Sequence, residues 1–190
     1  FRRVLFRSGG TINTAASTTL TYSGILAGSG TFTKEGTGTL ALGAVNNAGG
    51  TGFSGSVTVN SGKVTATELD LASTKTLTIA SGATVAVTES SSTVTSLISG
   101  SMAGNGTFQF NGGASGTGGI LELSNAFTAS GLTLSLTGGT LKLSGSGTFG
   151  FGTIDITGNT TIDFSGSTGS TLSSTSLRIA TGVSVSVINF

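Results

Sequence analysis

The chain has 190 residues, and 33 Gly, 29 Ser and 35 Thr make up half of it. Charged residues are only 8%, the formal net charge is +1, and Cys, His, Pro and Trp are absent. These absences exclude a disulfide framework, a thiolate nucleophile, an imidazole base and Cys- or His-based metal sites. The 36% hydrophobic fraction, spread in short alternating bursts, speaks for a folded chain over a disordered linker.

The opening FRRVLFRS differs from everything after it, with Arg2, Arg3 and Arg7 among the eight basic residues. No apolar run long enough for a signal peptide follows. The stretch reads as the translation of a sequencing-library adapter, so residues 1–8 are expected to be a non-native leader on a fragment. Residues 9–190 then carry Lys34, Lys63, Lys75, Lys142 and Arg178 against seven acidic residues. That balance removes any argument for nucleic acid as a partner, and no run reaches the roughly 20 apolar residues of a membrane-spanning helix.

From Gly9 onward the chain alternates with period two. TTLTY (18–22), TFTK (31–34), GTLAL (38–42), SVTVN (56–60) and KVTAT (63–67) come first. TLTIA (76–80), TVAVT (84–88), TFQF (107–110), ILELS (120–124), LTLSL (132–136) and TLKLS (140–144) follow. TIDIT (153–157), TTIDF (160–164), LRIA (177–180) and VSVSV (183–187) close the series. Each has Thr or Ser on one face and Val, Leu, Ile or Phe on the other, bounded by Gly, Asn or Ser, as a half-buried strand requires.

Repetition chooses among all-β architectures. GSGTF stands at 28–32 and 145–149, and GNGTF at 104–108. SVTVNSGKVTA, TLTIASGATVAV and LTLSLTGGTLKL each read strand, short glycine turn, strand. The expected fold is all-β, a right-handed single-stranded parallel β-helix, with turns of roughly 20 residues, about nine turns and a rod some 40 Å long. Gly158-Asn159 is compatible with a tight hairpin reversal or with a solenoid corner.

The stretch 26–66 resembles the autotransporter-associated β-strand repeat. Gly28, Ser29, Gly30, Lys34, Gly36, Gly38, Leu40, Leu42, Gly50, Thr51, Val59, Gly62 and Val64 fall on its pattern. Asn46 or Asn47, with Phe53 and Gly55, stand in for the usual Asn-x-Tyr-x-Gly segment. Residues 100–143 read as a weaker copy without the Lys. Residues 144–190 read as a terminal module, whose segment 159–190 resembles the last module of long exported repeat proteins, with Ile188-Asn189-Phe190 in place of its usual ending. The structural signature is therefore Gly28, Gly30, Phe32, Lys34, Gly36, Gly38, Leu40 and Leu42, then Gly104, Gly106 and Phe108, then Gly145, Gly147 and Phe149. The resemblance implies a passenger-type solenoid outside a bacterial cell, structural or adhesive, tethered by a further C-terminal domain. Its implied partners are a host or neighbouring cell surface or a polysaccharide, and it implies no catalytic residue.

Reactive chemistry finds little footing. GSGTFG (145–150) matches the dinucleotide fingerprint, which needs a helix after its glycines, whereas strand-like FGTIDITGN follows. No phosphate-binding lysine loop and no Ca²⁺-binding nonapeptide is present. The carboxylates are Glu35, Glu68, Asp70, Glu89, Glu122, Asp155 and Asp163. Asp155 and Asp163 occupy equivalent places in two TID triplets, and alternation turns both outward as solvated charges. Glu68 and Asp70 share a face at i, i+2, without basic neighbours. No catalytic, metal or cofactor residue is assigned, and a non-enzyme is expected. The alternative binding function is ice or polysaccharide recognition through Thr-x-Thr ladders, as at 31–33, 37–39, 65–67, 74–76 and 76–78.

Overall fold

The computed structural model describes residues 3–5, 7–45, 53–89, 91–113, 118–166 and 168–190. All elements within them are strands. Three short strands make each early turn. The first turn holds β1 (Arg3–Leu5), β2 (Gly10–Asn13) and β3 (Thr19–Tyr22), and the second β4 (Ile25–Ala27), β5 (Phe32–Glu35) and β6 (Thr39–Leu42). The third holds β7 (Ala44–Val45), β8 (Val57–Val59) and β9 (Lys63–Ala66), and the fourth β10 (Glu68–Leu69), β11 (Thr76–Ile79) and β12 (Thr84–Thr88). The fifth holds β13 (Thr95–Ile98), β14 (Ser101–Gly104) and β15 (Thr107–Asn111), and β16 (Ile120–Leu123) opens the sixth. Thereafter strands run through corners: β17 (Phe127–Leu143), β18 (Gly147–Asp163), β19 (Ser170–Ile179) and β20 (Val185–Ile188).

Every registered pair is parallel. A first face carries β2, β5, β8, β11 and β14 in order, and a second carries β3, β6, β9, β12, β15 and the middle of β17. The third face is broken into shorter ladders: β1 with β4, β7 with β10, and β13 with β16 and the end of β17. Single bridges at Gly28–Phe53 and Leu71–Ile98 splice it. The molecule is a β-solenoid of about 7 turns.

The turn count corrects the nine expected from sequence. Thr19 pairs with Thr39, a step of 20 residues, but Leu71 bridges Ile98, a step of 27. The extra residues fall in the connections between β7 and β8, β12 and β13, and β15 and β16. At about 4.8 Å per turn, seven turns make a rod of roughly 34 Å. Gly158-Asn159 lies inside β18, whose pairings on both sides are parallel; the segment is a corner, and the hairpin alternative falls away.

Alternation builds the core. On the second face Leu20, Leu40, Val64, Val85, Phe108, Leu134, Ile154 and Leu177 stack one per turn. Leu40 to Ile154 are buried, whereas Leu20 and Leu177, in the end turns, are 48% and 60% exposed. On the first face Phe32, Val57, Leu77 and Met102 form the matching column, and farther along Phe127 meets Phe149 and Phe151 edge to face.

The three glycine phrases do not mark one corner. Phe32 and Phe149 enter the first face, but Phe108 enters the second. GNGTF is therefore one face out of phase with its two GSGTF counterparts. Gly28 and Gly104, the first glycines of their phrases, have φ of 112° and 105°; in the third copy the positive φ, 104°, belongs to Gly147.

Candidate functional site

Lys34 is the signature residue with the least expected environment. Alternation along β5 turns Phe32 and Lys34 inward, so Lys34 occupies a core position between Ile12 and Val59 and is fully buried. Its Nζ donates to the carbonyls of Glu35 and Gly36 at 2.7 Å each, and to Ser61 at 3.2 Å. An ammonium has three N–H donors, and all three are used. Two of these bonds lie in its own corner and the third in the corner one turn on, so Lys34 stitches successive turns together. Gly36 (φ 76°) and Gly62 (φ 70°) make those corners, and a Cβ on Gly62 would overlap the Gly36 and Gly38 carbonyls. Burial pushes the Lys34 pKa down, and the Glu35 charge works against the push.

Replacing this ammonium leaves carbonyls without their charged donor. Lys34→Met keeps the stem and is expected to destabilise the fold by about 2 kcal/mol, at the scale of hydrogen bonds to charged groups. Urea unfolding of both proteins measures it.

The remaining signature residues are architectural. Leu40 and Leu42 lie in the second-face interior, Phe32 packs edge to face on Phe53 at 6.5 Å between centroids, and Phe108 and Phe149 are fully buried. Gly30, Gly38, Gly106 and Gly145 have ordinary φ, but a Cβ on any of them would strike backbone of the preceding turn. Asn46, Asn47, Gly50 and Thr51 lie outside the described residues. GSGTFG runs directly into β18, which offers no helix N-terminus.

The two TID triplets place their carboxylates on different faces. Asp155 is on the second face between Ser135 and Arg178, whereas Asp163 is on the third beside Lys142. Asp163 accepts from the Ser165 N–H (2.8 Å), the Ser165 hydroxyl (2.7 Å) and Asn189 (2.8 Å). Burial works to raise its pKa, but these bonds and the Lys142 charge outweigh it and hold the carboxyl below its ordinary range. Glu122 is paired with Lys142 at 3.1 Å and takes the Ser144 hydroxyl at 2.6 Å. Among the described residues no three His, Cys, Asp or Glu side chains form a metal-holding group. An open groove of about 870 Å³ lies beside Asp163, lined by Ser144, Ser146, Phe164, Ser165 and Asn189 among others.

Sequence reasoning named Glu89 as one carboxylate among seven and gave it no place in the fold. The structure buries it, at the corner that also holds Glu68 and Asp70. Only the position of Glu89, just past the alternating TVAVT and next to a Ser run, hinted at a strand end turned inward.

Outside, the second face carries one ladder across the whole rod. Thr19, Thr39, Lys63, Thr84, Thr107, Thr133, Thr153 and Ser176 follow each other turn by turn. The neighbouring row is mixed: Thr21, Ala41, Thr65, Ala86, Gln109, Ser135, Asp155 and Arg178. The Thr-x-Thr pairs of the sequence scatter between faces, whereas a single row, threonine at six of its eight positions with Lys63 and Ser176 at the other two, runs turn by turn.

Comparison with protein-family models, with curated proteins and with solved structures finds no match to this chain.

Proposed function

We propose that this chain is a non-catalytic structural or adhesive segment of an exported bacterial surface protein of the autotransporter passenger type. Its work is presentation: a stiff rod carries its faces and corners away from the membrane toward a host cell, a neighbouring cell or a polysaccharide. The observation that supports this most is the interior of the rod. The second-face column runs from Leu40 to Ile154 without a polar break, and the Lys34 ammonium ties corners together where the backbone ladder turns away. Such a stack resists local opening.

The test is to place the chain ahead of an outer-membrane β-barrel in a bacterial host and treat intact cells with trypsin. A surface-exposed chain that survives as one large fragment, and that attaches labelled cells to a neighbouring-cell or glycan surface, is the expected result. Retention inside the envelope, or attachment equal to that of the barrel alone, sinks the reading.

The threonine ladder favours a second reading, a flat face that orders water or lies on a crystalline polysaccharide. Thr107→Lys with Thr133→Lys places two cations mid-ladder. If the face binds, thermal hysteresis or co-sedimentation with microcrystalline cellulose or chitin is present in the parent chain and lost in the double variant. Absence of both activities in the parent chain removes this reading.

A further inference from the structure

The third face has a seam that backbone pairing does not close. β10 and β13 lie on successive turns, yet two of the hydrogen bonds between them run through side chains. The Leu69 N–H donates to the Ser96 hydroxyl at 2.9 Å, and the Leu97 N–H donates to Asp70 Oδ1 at 2.9 Å. Backbone bonds resume only at Leu71, whose N–H reaches Leu97 and whose carbonyl accepts from Ser99.

Ser96 is fully buried and in turn donates to Glu89 Oε1. Glu89 is 3% exposed, and its Oε2 has no hydrogen-bond partner. Gly119, from the following turn, packs so closely that a Cβ there would overlap the Glu89 side chain. The charged groups facing Glu89 are Glu68 and Asp70 from the turn before; the turn after presents Gly119 and the Ile120 backbone. A neutral carboxyl fits this place. A carboxylate would be buried with one oxygen unpartnered and two negative neighbours, which is costly.

We propose that Glu89 is a pH-sensitive latch on this seam: as the neutral acid it stays inside and holds Ser96 against the Leu69 N–H, and on ionisation it swings out and opens the junction of β10 and β13. Burial pushes the Glu89 carboxyl up from its ordinary range, the Ser96 hydroxyl and Ile120 N–H pull against it, and Glu68 and Asp70 add to the push. A group whose folded pKa is raised contributes stability that is complete below its unfolded value and is lost as pH rises through the folded one. The seam is therefore closed in acid and loosened toward neutral or alkaline pH. Asp70 is raised as well, first by burial and then by Glu68, against the Leu97 N–H, so it adds to the trend in the same direction.

Native-state hydrogen exchange on the full chain between pH 4 and 9 tests the latch. The probes are the Leu69 and Leu97 amides, with Leu134 in the second-face core as control. After division by the intrinsic rate, the Leu69 opening constant should rise by up to about tenfold per pH unit above the ordinary carboxyl range, then level off. Leu134 should stay flat. In Glu89→Gln the Leu69 rise should shrink to about twofold or less overall. Read at the Leu97 amide, whose acceptor is Asp70 and not Ser96, Ser96→Ala should move the midpoint upward, because it removes a donor to the ionised form, and Glu68→Gln should move it downward. A pH-independent Leu69 opening in the parent chain overturns the proposal. So does a slope that survives Glu89→Gln but vanishes in Asp70→Asn, which would assign the titration to Asp70.

Discussion

Phe108→Ala is expected to destabilise the solenoid by about 3–5 kcal/mol, the range for emptying a buried aromatic site. Phe108 is fully buried and stands in the second-face column between Val85 and Leu134, with Phe110 two residues on and equally buried. Parallel turns are locked in register by their ladders, so the walls of the cavity have little freedom to collapse. At about 2–4 °C per kcal/mol for a chain of this size, thermal unfolding should shift by roughly 10 °C. Leu177 occupies the same column at the last turn but is 60% exposed, and its alanine variant should cost under about 1 kcal/mol. Thermal melts of the two variants measure the contrast. Equal losses would mean that the column is not continuous and that each turn contributes on its own.

That contrast also separates what the sequence could say from what it could not. Strands of the second face were legible almost throughout, because Thr-Leu-Thr and Val-Ala-Val alternation is written directly in the residues and the inward positions are large apart from Ala66. Strands of the first face in the late turns were missed. FTASG, GTFGF and STLSS place Ala, Gly and Ser among their inward or corner positions, and their burial comes from Phe127, Phe149 and Phe151 packing across turns. No local pattern encodes such a contact. The two-residue strands β7 and β10 were illegible for a related reason: their strand geometry is imposed by a neighbouring turn.

The site residues divide in the same way. Glycines read as corner residues from the phrase alone, but their phase around the rod needed the register, since the same phrase enters the first face twice and the second face once. Lys34 was legible as a signature and was counted among the charges of the chain. Its direction follows from Phe32 two residues earlier, since a strand places i and i+2 on one face. The Glu89–Ser96 latch could not be read from residues seven apart with a turn between them. Its cause is tertiary, an acid enclosed by two neighbouring turns.

Gly104→Ala is the second large effect expected, at about 3 kcal/mol or more. Two costs combine there. The backbone has φ of 105°, a region that L side chains rarely adopt and that costs on the order of 1–3 kcal/mol. A Cβ would also overlap the Ile79 carbonyl oxygen of the preceding turn, and that carbonyl is already committed, accepting from the Asn105 and Gly106 N–H groups at 3.0 Å each. Relief therefore requires β14 to lift off β11, which would strain the Thr76–Ser101 contact at 3.2 Å and the four-residue ladder beside it. Gly82→Ala separates the two costs within the same protein. Gly82 has φ of 77°, but nothing lies within 4 Å of the place its Cβ would take, so only the backbone cost of about 1–2 kcal/mol remains. Chemical denaturation of both variants should rank Gly104→Ala well above Gly82→Ala. If the two are equal, the spacing between turns yields readily and glycine is needed at this corner only for its backbone angle. If Gly104→Ala is the costlier by about 2 kcal/mol, the scale of the added steric strain, the close stacking of turns is itself what selects glycine, and it does so where GNGTF leads the chain from the first face into the second.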